Sequence, residues 1–127
     1  MKYMLIIYGN QELWSSIEPT EFAKQIAAFD AFNKKYYDSG ELLGAYGVAD
    51  AAATKLVRVT DGQPAVTDGP YLETKEYLAS WCLLDVENEE RALAIAADMP
   101  SAKYRPVEVW PVLHEASRET GVDIGVA

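Results

Sequence analysis

Apolar residues alternate on both sides of the opening segment. Tyr3, Leu5 and Ile7 share one face of an extended chain, and Met4, Ile6 and Tyr8 share the other. The pattern predicts a central strand over Lys2–Tyr8, covered on both faces and ended by Gly9-Asn10. Pro19 suits the first turn of a helix, and Phe22, Ile26, Phe29 and Tyr36 then recur at helical spacing with Phe32 and Tyr37 flanking them. Lys34 and Lys35 complement the helix dipole near its C-terminal end, and Gly40 supplies the stop. Glu41–Val48 reads as a second strand in which Gly44 and Gly47 mark a bulge or a close approach. Thr54–Thr60 is a third, and Asp61-Gly62 turns it back into Pro64–Thr67. The run Val59-Thr60-Asp61-Gly62 is echoed by Val66-Thr67-Asp68-Gly69, whose second copy opens a loop through Glu76.

Tyr77–Val86 is the longest strand candidate, with Trp81 and Leu83 on one face and Cys82 and Leu84 on the other. Asn88 caps a second helix with Glu89 and Glu90 in its first turn; Leu93, Ala96 and Ala97 form its apolar stripe, and Met99-Pro100 ends it. Val107–Val112, bracketed by Pro106 and Pro111, reads as an edge strand. These elements make one domain over residues 1–113, followed by a polar tail at 114–127 whose apolar end is able to dock or swap.

The order predicts an α+β fold: a ferredoxin-like split βαβ unit with an extra hairpin strand. Two helices cover one face of such a sheet, yet the strands are apolar on both. A second copy of the same sheet is the simplest cover, so a homodimer with sheet facing sheet is expected.

Composition narrows the function. A chain of 127 residues, half of them apolar and 24% charged, supports a single packed core. Eleven basic against twenty acidic residues leave a net charge of −9, which repels phosphate backbones and anionic lipid. No nucleic-acid or membrane partner is therefore expected. The apolar stretches fall short of a bilayer span, no leader pattern opens the chain, and Cys82 is the lone cysteine, so a reducing cytoplasm is the expected compartment. No zinc-type Cys/His spacing, phosphate loop, dinucleotide fingerprint or nucleophile elbow is found, and no metal or cofactor is expected.

The candidate ligand residues are polar and aromatic. Asp68, Gly69, Pro70 and Tyr71 either set a turn or touch a ligand directly. Glu73 offers a carboxylate for proton transfer and Lys75 a cation for an anionic substrate; otherwise they are solvated loop charges. Asn33 falls in the middle of the apolar stripe of the first helix, where its amide needs a partner from the protein or from a ligand. Among eight tyrosines, Tyr8, Tyr46, Tyr71 and Tyr77 suit a cleft wall or a dimer seam. Trp81, Trp110 and Cys82 read as core, and His114 reads as a solvated tail residue without an orienting partner.

Three segments carry a family resemblance: Lys2-Tyr3-Met4-Leu5-Ile6-Ile7-Tyr8, then Asp68-Gly69-Pro70-Tyr71-Leu72-Glu73-Thr74-Lys75-Glu76, then Val107-Glu108-Val109-Trp110-Pro111-Val112. Together they resemble the YCII-related family, and within it the branch marked by a DGPF motif followed by ETKE. The resemblance implies a ferredoxin-like fold paired as a dimeric α/β barrel. It also implies a family largely without assigned activity, some of whose members are fused to sigma-factor-like domains. Here Tyr71 replaces the phenylalanine of the motif. The histidine suspected of catalysis in the family lies on its first helix, which holds none in this chain, although Asp98-Met99-Pro100 resembles the acidic position before a proline. The expected function is a YCII-related domain that binds a small polar molecule in a pocket of the barrel, with acid–base chemistry open to it. The alternative is a non-catalytic regulatory or partner-binding module of the sigma-factor-associated type.

Overall fold

Strand β1 (Lys2–Gly9) occupies the centre of a four-stranded antiparallel sheet, between β5 (Tyr77–Asp85) and the edge strand β6 (Glu108–Pro111). Strand β2 (Leu42–Gly47) completes it in the order β2-β5-β1-β6. The computed structural model describes residues 1–9, 14–71 and 76–125. The register places Leu5 opposite Cys82 on one side and Val109 on the other, so the predicted alternation becomes a two-faced sheet. Tyr3, Leu5, Ile7, Cys82 and Leu84 form its buried face.

Helices α1 (Pro19–Asp38) and α2 (Glu89–Asp98) close that face. Phe32 and Tyr36 of α1 and Ala92, Ile95 and Ala96 of α2 join the core with Met99. Leu5, Leu84 and Ile95 are fully buried, each stabilising the fold by about 1.5–3 kcal/mol. Asn88 caps α2 as predicted, its Oδ1 accepting the Arg91 N–H at 2.9 Å. The chain order β1-α1-β2-β5-α2-β6 and this strand order form the ferredoxin-like arrangement.

Four expectations change. The stripe of α2 is Ala92, Ile95 and Ala96, with Leu93 turned outward, because the helix rolls its small residues onto the sheet. Trp110 is 53% exposed rather than core, since its strand lies at the sheet edge on the side without helices. Phe22 and Ile26 are also exposed. Finally, β3 (Lys55–Thr60) and β4 (Gln63–Asp68) make a separate two-stranded sheet instead of extending the main one. Asp61 and Gly62 close this hairpin with φ of 51° and 75°, the left-handed pair that an Asp-Gly turn supplies.

The tail also has structure. Ala116 bridges Asp123, Glu115 pairs with Lys2 at 2.7 Å, and His114 Nδ1 lies 2.6 Å from Asp123 Oδ2. His114 thus has an orienting partner, although both residues are exposed. Among the described residues, no helix is long and apolar enough to cross a membrane.

Candidate functional site

Small residues on the helix-facing side of the sheet leave space under the first half of α1. Ala45 pairs with Cys82 and Gly47 with Ser80, so little side-chain volume rises from β2 and β5 towards Phe22, Ile26 and Phe29. The result is a cavity of about 520 Å³, within the range of small-molecule sites. Its walls include Phe22, Phe29 and Tyr77, and Trp14 closes one end. Phe22 and Ile26 are exposed because they border this opening instead of packing on the sheet. Trp14 reaches its place because residue 9 is glycine: a methyl there would lie 2.7 Å from Trp14 Cζ2.

Polar groups punctuate the apolar wall. Asn33 lines the cavity half-buried, and its amide bonds no other described residue. Ser101 also lines it, and its Oγ is sealed from solvent with no hydrogen-bond partner. Burial pushes the Cys82 thiol up to about 11, so at neutral pH it is an uncharged, inert wall group. Among the described residues the lining holds no Lys, Arg or His, and its one carboxylate, Asp50, is exposed and accepts the Ala52 N–H at 3.4 Å. Nor do the described residues contain a cluster of three His, Cys, Asp or Glu able to hold a metal ion.

The sequence candidates fall into three places. Asn33 lines the cavity with Tyr77, whereas the Tyr46 ring stands on the helix-free face against Trp81. Tyr8 projects on the opposite, helix-free face, where its phenol is raised above its ordinary value chiefly by a hydrogen bond to Glu108. Asp68, Gly69, Pro70 and Tyr71 lie at the base of the β3–β4 hairpin, outside the cavity lining. There Asp68 pairs with Lys55 at 2.5 Å, Gly69 N–H donates to Thr54 O at 2.8 Å, and the Arg58 guanidinium stands 5.5 Å from the Tyr71 ring. Glu73 and Lys75 lie outside the described residues.

Sequence reasoning missed Trp14, Ser80 and Ser101 as lining residues. Trp14 stands in a connection without periodicity, and Ser101 follows a helix stop, so neither carries a local signal. A large aromatic in an otherwise polar loop was the one available hint for Trp14.

On the helix-free face, Met4, Ile6, Trp81 and Leu83 stay half-buried, and Tyr46 packs on Trp81 with ring centroids 4.8 Å apart. Trp110 Nε1 donates to Glu108 Oε1 at 2.9 Å across the outer edge of this surface.

Comparisons with known proteins place the chain in a family. An uncharacterised protein of Rhizobium meliloti (strain 1021) is 28% identical over 102 residues, covering 80% of this chain and 82% of its own. Among solved structures, 5-chloro-2-hydroxyhydroquinone dehydrochlorinase from Burkholderia phenoliruptrix AC1100, in complex with 2,5-dihydroxybenzoquinone, matches with a TM-score of 0.49 and 8% identity. That match covers 94% of this chain and 98% of the other. The model of the YCII-related domain matches residues 1–115, and the chain belongs to that family.

Proposed function

We propose that this protein is a small-molecule binder that acts as a homodimer and holds its ligand in the cavity between α1 and the sheet. The observation that carries the reading is the half-buried Asn33 amide, which bonds no other described residue and opens onto an aromatic wall where a ligand can bond it. Binding is favoured over acid–base catalysis. The lining offers one exposed carboxylate and a protonated thiol, and no histidine among the described residues. The mostly apolar wall also moves the ligand away from a strongly polar molecule.

The second copy would cover Ile6, Trp81, Leu83 and their neighbours, pairing the sheets as in a dimeric α/β barrel. The loop Asp68-Gly69-Pro70-Tyr71 supports placing the chain in the DGPF branch of its family.

The test is a melting-temperature screen against metabolites on the wild type and on Ile26→Trp, which fills the cavity. A ligand at about a hundredfold excess over its Kd adds roughly 2.7 kcal/mol of stability. A hit should raise the wild-type melting temperature and leave Ile26→Trp unmoved. Equal shifts in both proteins would place binding elsewhere.

A further inference from the structure

We infer that the ligand is an uncharged aromatic molecule with a hydrogen-bonding edge, and that ionised molecules of the same shape are turned away. This rests on the cavity being the binding site, as proposed above. Flat walls come from Trp14, Phe22, Phe29 and Tyr77, whose rings accept a planar body with little loss of conformational freedom. What interrupts those walls is neutral. Asn33 presents an amide that both donates and accepts, and Ser101 keeps a hydroxyl with no partner, which a ligand would reach by a change of its χ1 rotamer.

Among the described lining residues, charge complementarity is missing in both directions. An anion entering here sheds its water and meets no Lys, Arg or His among the described lining residues, while the chain as a whole carries −9. A cation fares little better, because Asp50 remains exposed at the margin and is already bonded to a backbone amide. A neutral amide, by contrast, brings a donor and an acceptor and leaves no uncompensated charge behind.

Three isosteric probes and their parent hydrocarbon separate the possibilities in calorimetric titrations: naphthalene-2-carboxamide, naphthalene-2-carboxylate, naphthalene-2-carboxamidine and naphthalene itself. Titrations run at about 0.3 M salt, which screens the net charge beyond roughly 6 Å. The carboxamide should bind about tenfold or more tighter than the carboxylate and the amidinium, since each ion is desolvated unpaired. It should also outbind naphthalene. Asn33→Lys should bring the carboxylate level with the carboxamide or ahead of it. Gln25→Lys places a cation on the same wall from a half-buried helix position, and it serves if Asn33→Lys does not fold.

An ion that binds the wild type as tightly as the carboxamide overturns the inference while leaving the cavity reading intact. So does naphthalene matching the carboxamide, or a preference that neither lysine changes. If none of the four binds a natively folded protein, the cavity reading itself falls.

Discussion

Tyr36 Oη donates to Asp98 Oδ2 at 2.7 Å, and Lys35 Nζ reaches the same oxygen at 3.0 Å. These bonds, the phenol's first, hold the Asp98 carboxyl below its ordinary range. Nearby, Arg91 grips Glu41 with Nε and Nη2 at 2.7 and 2.8 Å, and that fork lowers Glu41 in the same sense. A carboxyl that titrates lower in the folded chain takes up its proton later than the unfolded one as pH falls. The stabilisation is therefore complete above the ordinary carboxylate range and fades as pH drops through the lowered values. Asp98→Asn and Tyr36→Phe should each flatten the acid side of the stability curve measured by urea unfolding. At neutral pH, Tyr36→Phe should cost about 1 kcal/mol, since Asp98 stays partly solvated and recovers water. An acid limb as steep as that of the wild type would remove the network from the account. The acidic position before a proline, which the family resemblance singled out, thus ties α1 to the end of α2.

Elements differ widely in what holds them. Strands β1 and β5 pair along eight residues beneath two helices, whereas every residue of β4 is exposed and β3 is little better covered. A two-stranded hairpin alone is marginal in water. Amides of β3 and β4 should therefore exchange with deuterium well before those of β1 and β5, opening locally without global unfolding. Replacing 55–68 by a short turn should lower the melting temperature by only a few degrees, because the hairpin buries almost no apolar surface. A collapse of the whole domain on that deletion would mean the hairpin supports the sheet. Within α2, Asn88→Ala should cost about 1 kcal/mol by freeing the Arg91 N–H, measured from the urea midpoint. Ile95→Ala, emptying a fully buried site, should cost roughly 2–5 kcal/mol.

At the scale of the molecule, one face of the main sheet is closed by helices and the other presents Met4, Ile6, Trp81 and Leu83 with Tyr46 and Trp110 more than half exposed. Such a surface is large for a lone protomer, which is the physical ground for the proposed homodimer. Sedimentation equilibrium at micromolar concentration should give twice the chain mass. Trp81→Glu should halve it by placing a charge where the two sheets meet, while circular dichroism stays native. A wild-type protein sedimenting as a monomer removes the barrel, although the cavity on the opposite face would survive that result.

The elements themselves were legible in the chain. Alternation over Tyr3–Tyr8, the Pro19 start, the Asp61-Gly62 turn and the Asn88 cap each express backbone physics that acts within a few residues. Asn33 stood out as well, because a polar side chain in an apolar stripe is a local anomaly. Local pattern does not say which apolar stripe finds a partner. Phe22 and Ile26 have the same spacing as Phe32 and Tyr36, yet the first pair borders a cavity and the second is buried. That difference was decided by the small residues Ala45, Gly47 and Ser80, which pairing between distant strands brings beneath one half of α1. Trp14 and Ser101 joined the site in the same way. The sequence alone determined the secondary elements and their order, since period, caps and turns are near-neighbour effects. The void, the lack of Lys, Arg or His among its described lining residues and the separation of the Asp68–Tyr71 loop from it arose only from tertiary packing, because volume and charge at a point in space are sums over residues far apart in the chain.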